Sequence, residues 1–318
     1  MSNTLDGTVE PPVDVWAEAT AREIERGASA VQESSMRRTT PWRHFRTRFG
    51  RQRSGVVAVG FLAFATVVAI MGPYVTPHDP NVQNLQAILQ YPSSAHWLGT
   101  DDLGRDVLSR LMTGTRVSLV AATQATLIAV ALGVPLGLIS GFFGGRVDRA
   151  IMFVNDAIMA MPGLLLAIAI VGMLGRGLTN AMIAIGIVFV PRVLRIVRGS
   201  VMEIKEETYI EASRSIGTPT GRIIRQHVLR NVRSPLIVGV SLLTGRAMLN
   251  EASLSFLGLG AEYPEASWGA MLGRALPYVD RSPFLIVFPG IAIALVVLAF
   301  NVAGDALRDS LGRETRKD

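Results

Sequence analysis

The sequence contains no cysteine, which excludes disulfides, thiolate metal sites and thiol nucleophiles together. Charge is also scarce. Only 18% of the 318 residues are Asp, Glu, Lys or Arg, against roughly 25% in a soluble domain. No G-x-x-x-x-G-K-[ST] phosphate loop occurs, so the chain is not expected to hydrolyse ATP. Neither H-E-x-x-H nor G-x-S-x-G is present, and no nucleophile–base spacing points to an enzyme. The four histidines, His44, His78, His96 and His227, are scattered along the chain and over both predicted sides of a membrane, so they are not expected to form one metal site. No catalytic, cofactor-binding or metal residue is assigned. The polar start lacks the short apolar core of a cleavable signal peptide.

What the chain has instead is apolar length. Hydrophobic residues make up 49% and gather in blocks of about 18–25 residues, enough to cross a hydrocarbon core of about 30 Å. The blocks run over 55–75, 117–143, 150–174, 180–197, 236–257 and 284–303. Lipid cannot satisfy an exposed backbone, so each block must be helical. The expectation is an all-α membrane protein with about six transmembrane helices, lying in the cell inner membrane.

The net charge of +6 does not point to nucleic acid, because the basic residues sit between apolar blocks, where they set topology. With the N-terminus inside, only Arg105, Arg110, Arg116, Arg176, Arg274 and Arg281 fall outside, and Arg246 lies within a block. Both termini are therefore expected in the cytoplasm. Residues 1–35 read as a flexible cytoplasmic tail. Residues 36–54 carry Arg37, Arg38, Arg43, Arg46, Arg48, Arg51 and Arg53, a basic segment suited to lie on anionic lipid. Residues 55–313 form the transmembrane domain.

Gly133, Gly137 and Gly141 recur every fourth residue and so share one helix face. Pro135, Pro162 and Pro191 predict kinks in the second, third and fourth blocks. Asp156, Arg246 and Glu251 are charges inside apolar blocks, each costing on the order of 2.5–3.5 kcal/mol at a bilayer centre, so they should face the bundle interior or an aqueous path. Arg246 and Glu251 lie about 140° apart on a helix, which leaves Asp156 as the candidate mate for Arg246. Taken alone, these charges also fit the relay of an ion-coupled secondary transporter.

The inner loop 199–235 is the most informative stretch. Glu203, Glu206, Glu207 and Glu211 alternate with Tyr209, Ile210 and Ala212 in a short amphipathic helix that Gly217 should end and Pro219 should not continue. A second, basic helix is predicted from about Thr220 toward Asn231. Tyr209 and Ile210 beside the charges suit docking into a partner groove.

Glu211, Ala212 and Ser213, then Gly217, then Leu229 resemble the E-A-A loop of permeases from binding-protein-dependent ABC importers. Ser213 replaces the second Ala of the pattern, and Arg230 stands where Pro is usual. The run HWLGTDDLGRDVLSR over 96–110 resembles the H-x-L-G-T-D-x-L-G-R-D-x-x-S-R segment of dipeptide, oligopeptide and nickel permeases. Residues 251–261, 268–272 and 301–312 also match that group, and the basic N-terminus suits its C-type member. The resemblance spans residues 40–313. It implies a type I importer permease fold, with Tyr209, Ile210, Glu211, Ala212, Ser213, Gly217 and Leu229 in the loop that couples to the ATPase. It further implies a second homologous permease, two ATPase subunits that hold ATP and Mg, and an extracytoplasmic binding protein. Peptides are the implied cargo, with nickel or another small solute as the alternative.

Overall fold

The structure is a computed structural model that describes residues 48–311. The tail 1–35 and the basic segment up to Thr47 lie outside the described residues. In chain order the helices are α1 (Arg53–Val75), α2 (Val107–Phe143), α3 (Gly145–Met159), α4 (Gly163–Leu174), α5 (Leu178–Ile204), α6 (Thr208–Ser215), α7 (Thr220–Phe256), α8 (Trp268–Ala275) and α9 (Phe284–Leu311). The described residues contain no strand, only an isolated bridge between Thr100 and Asp106. Helices α1, α2, α5, α7 and α9 are each long and apolar enough to cross a membrane.

Three boundaries differ from the sequence expectation, each for a local reason. The third block is broken: α3 and α4 meet at 93° across Ala160–Pro162. Pro162 has no N–H to offer the Ile158 carbonyl and disfavours helical geometry at Met161. Pro135 and Pro191 stay inside uninterrupted helices. Helix α2 begins ten residues before its apolar block, because Asp106 caps it by accepting a 2.8 Å bond from the Ser109 N–H. The basic helix from Thr220 does not stop near Asn231. It passes through one π-helical stretch, Ile224–Val228, and continues as α7. Arg230 can donate its backbone N–H where a proline could not, and no turn separates the loop from the span.

Contacts between helices fix their directions. A β-carbon added to Gly133, Gly137 or Gly141 of α2 would lie 2.7, 2.7 and 2.8 Å from the Cβ of Val193, Val197 and Val201 of α5. Both series ascend together, so α2 and α5 are parallel, and the three-glycine stripe is the surface that lets their backbones approach. Around this seam Ala121, Ala125, Ala129, Met182, Ile185 and Val197 are fully buried. The chain must return across the bundle between two parallel helices, and α3 with α4 make that return. Asp148 of α3 sits against Ser140 and Arg198 at the end where α2 and α5 finish, while the Gly177 N–H bonds the Leu259 carbonyl at the opposite end. The bent pair therefore counts as one crossing, giving six among the described residues.

Helix α7 is antiparallel to α5, with Gly239 facing Ile196 and Arg246 sharing a cleft with Arg192. Helix α9 is antiparallel to α7, with Gly304 against Leu242 and, further along α7, Gly245 against Phe300 and Val297. Gln52, just before α1, bonds Asp309 near the end of α9. Both ends of the described chain thus lie at the same end of the bundle as α6. The outer faces of α1 and α9 expose Phe64, Ile70, Ile291 and Leu298 at 52–63%, a belt suited to lipid rather than water.

Candidate coupling site

Helix α6 is short, and its position comes from contacts on one side only. Ile210 is fully buried in the cluster that includes Ile204, Ile223 and Val228. It therefore anchors α6 to its own chain and is not free to dock into a partner. Tyr209 accepts a 2.8 Å bond from the Asn231 side-chain amide and lies with its ring 5.8 Å from that of His227. Burial pushes the Tyr209 phenol above its ordinary range, and the Glu207 charge adds to this against the opposing Asn231 bond, so the group stays neutral. Ser213 donates to the Tyr209 carbonyl at 2.7 Å within the helix, which makes a hydroxyl at this usual alanine position locally harmless.

Gly217 ends α6 at φ +76°. Its N–H bonds the Arg214 carbonyl at 2.9 Å, and the Thr218 N–H bonds the Ser213 carbonyl at 3.0 Å. These two bonds make a Schellman closure, which needs a left-handed residue at this place. Leu229 is half-buried at the junction of the π stretch and the rest of α7. On the other face Glu211, Ala212 and Ser215 are exposed. The Glu211 carboxylate has no partner among the described residues, whereas its carbonyl accepts from Ser215.

The base of this knob is cross-braced. The Arg198 guanidinium makes a two-pronged bond to Asp148, 2.7 Å on each arm, joining α5 to α3. Ser140 of α2 donates to the same carboxylate at 2.5 Å. The Arg214 guanidinium lies 5.3 Å from the centre of the Phe142 ring, linking α6 to the end of α2. A force on α6 would therefore reach α2, α3, α5 and α7 through direct contacts.

The three intramembrane charges are not brought together. Asp156 pairs with Arg195 at 2.7 Å, both side chains about half exposed, and not with Arg246. The reason is topological: α3 runs beside α5, and Arg246 of α7 opens instead into a cleft that it shares with Arg192. Neither of those arginines has an acidic partner among the described residues. Glu251 is fully buried, accepts from Ser255 at 2.7 Å, and faces the hydroxyls of Ser118 and Ser267. Its Oε2 has no hydrogen-bond partner among the described residues, and, enclosed as it is, the group lines no open path in this conformation.

Comparison with known families agrees with this architecture. Residues 40–92 match the N-terminal transmembrane domain of oligopeptide transport permease C. Residues 133–317, more than half of the chain and including all of α6, match the binding-protein-dependent transport system inner membrane component. The chain belongs to this family. The permease is 43% identical over 282 residues to the glutathione transport system permease protein GsiD of Pectobacterium atrosepticum, covering 88% of this chain and 93% of that one. It is 43% identical over 273 residues to the protein of the same name from Escherichia coli O6:K15:H31, covering 86% and 90%. Among solved structures, an inward-facing MetNI methionine ABC transporter chain superposes with a TM-score of 0.54 at 18% identity, covering 63% of this chain and 96% of that one. That likeness bears on fold alone, and the fold is that of a type I importer permease.

Sequence reading of the permease missed Asp148, Arg198 and Arg214 as braces of the knob. Asp148 and Arg198 are 50 positions apart, and no local pattern pairs them. Asn231 stood at the edge of the family motif but carried no sign that it would meet Tyr209. Of the four histidines, which are not expected to form one site together, His78 and His96 do meet, with ring centres 4.7 Å apart.

Proposed function

We propose that this permease forms, with a second homologous permease, the translocation path of an ATP-driven importer for short peptides of about glutathione size. Two partner ATPase subunits hold ATP and Mg, and an extracytoplasmic binding protein delivers the cargo. The observation that carries the reading is the α6 knob, which is anchored by Ile210, Tyr209 and Gly217 on one face and bare at Glu211 and Ala212 on the other. A bare face on a braced helix suits a docking element that moves as a unit. Nucleotide binding would then rock the helices between two accesses through α6. The end of the bundle that carries α6 also carries most of the described basic residues, which supports a cytoplasmic location for it and for both termini.

The glutathione assignment of the relatives favours a peptide over nickel as cargo. Two arginines without acidic partners among the described residues, Arg192 and Arg246, flank a cleft in the membrane region, and an anionic peptide carboxylate would complement them. The test is uptake into proteoliposomes holding both permeases and the ATPases, with the binding protein outside and radiolabelled glutathione as probe. Accumulation should rise about tenfold or more when ATP is supplied on the ATPase side. Short peptides should compete, and Ni²⁺ should not. Uptake driven by an ion gradient without nucleotide would instead make this a secondary transporter.

A further inference from the structure

At the end of the bundle opposite α6, three side chains from separate stretches converge. His78 follows the end of α1, His96 lies in the α1–α2 loop, and Asp106 caps α2. The His96 Nδ1 is 2.9 Å and the His78 Nδ1 3.7 Å from the same Asp106 oxygen, Oδ1. One donor atom from each residue lies within 4.8 Å of the other two, and the imidazole centres are 4.7 Å apart. Donors on one tetrahedral ion, at about 2.0–2.2 Å from it, stand about 3.3–3.6 Å from each other. The trio brackets that spacing, so small side-chain rotations would complete the geometry.

We propose that His78, His96 and Asp106 form a binding site for a borderline divalent cation such as Zn²⁺, resident in the α1–α2 loop and distinct from the transport path. The donor set decides the class: two imidazoles and one carboxylate suit zinc and its first-row neighbours, whereas Mg²⁺ and Ca²⁺ take oxygen ligands. The surroundings hold the carboxylate in place. Asp106 Oδ2 accepts from the Ser109 N–H at 2.8 Å and from its hydroxyl at 2.7 Å, which leaves Oδ1 turned to the histidines. The same Ser109 hydroxyl accepts a 3.1 Å bond from the His78 backbone N–H. Such outer contacts are what orient metal ligands.

Charge supports the assignment as well. The arginines of the region are engaged elsewhere: Arg105 with Asp101 and Asp102, Arg110 with Asp101, and Arg274 with Asp102. No arginine or lysine pairs with Asp106 among the described residues; its side chain, 2% exposed, faces the two imidazoles and the start of α2. His78 is 45% exposed in its side chain, which leaves room for water as a fourth ligand. A bound ion would pin the exit of α1 to the head of α2. Such a site is independent of the cargo and of the coupling role of α6.

The test uses the full-length chain purified on a tag without histidines, stripped with a chelator and reloaded with Zn²⁺ alone or Co²⁺ alone. About one Zn²⁺ per chain should remain after dialysis, and Zn²⁺ should raise the melting temperature. Co²⁺ should give the visible absorption of a low-coordinate site. His78→Asn should weaken Zn²⁺ binding by about tenfold or more, and His227→Asn should not change it. Asp106→Asn retains a good helix cap and should also lose the ion, which separates ligation from folding. A wild-type chain that retains no Zn²⁺, or a His78→Asn chain that binds it as tightly as wild type, overturns the proposal.

Discussion

Glu211→Arg is expected to lower cargo-stimulated ATP hydrolysis by the assembled importer by about tenfold or more, with the melting temperature of the chain unchanged. Glu211 is exposed and its carboxylate has no partner within the described chain, so nothing in the permease itself requires the negative charge. Any loss must come from a surface that the residue meets elsewhere. Gly217→Pro should abolish coupling by a different route. Proline fixes φ near −65°, whereas Gly217 holds +76°, and the substitution also removes the N–H that bonds the Arg214 carbonyl. The α6 terminus then loses its closure, and the knob loses its fixed orientation. ATPase stimulation at wild-type level in both variants would remove α6 from the coupling mechanism.

The second large effect is expected at the α2–α5 seam. Gly→Ala inside a helix ordinarily stabilises by about 0.5–1 kcal/mol. At Gly137 the sign should reverse, because the new methyl group would stand 2.7 Å from Val197 Cβ and 2.8 Å from the Leu194 carbonyl oxygen. Neither neighbour is the far end of a flexible side chain, so the helices themselves must separate, and a loss of about 1–3 kcal/mol is expected. Gly60→Ala in α1 is the control, since a β-carbon there meets nothing within 4 Å. Thermal melting in detergent should place Gly137→Ala below wild type and Gly60→Ala at or above it. Combining Gly137→Ala with Val197→Gly should recover part of the loss, a coupling that two independent sites would not show. A Gly137→Ala chain that melts at or above wild type would contradict the close helix approach.

The features legible in the sequence are those with a local cause. Lipid forces each apolar block into helix, a stripe of glycines four apart marks a close-packed face, and Gly217 followed by Pro219 closes a short helix. Two misreadings were local as well. Hydropathy starts α2 at Val117 because Arg110, Thr113, Thr115 and Arg116 dilute the apolar signal, yet the capping pair Asp106 and Ser109 was there to be read. Pro162 predicts a kink where the helix breaks in full. Pairing across the bundle was not legible. Asp156 finds Arg195 and Asp148 finds Arg198 because α3 lies along α5, an arrangement set by three-dimensional packing and not by spacing. Amphipathicity shows that a helix has an apolar face but not whether that face turns to its own chain, so the pattern suggests docking for Ile210 where the fold buries it. The meeting of His78 with His96 is not legible either, because proximity within a folded loop leaves no mark in sequence separation.

The absence of native cysteine makes the central claim directly measurable. A cysteine introduced by Ala212→Cys, on the bare face of α6, can carry a maleimide photo-crosslinker in the fully assembled, transport-active complex. Illumination should join the permease to an ATPase subunit, while the same label at Asn81→Cys, exposed at the opposite end of the bundle, should not reach it. An active complex in which the position 212 label captures no ATPase, or captures it no better than the position 81 label, would show that α6 is not where the motor meets the permease.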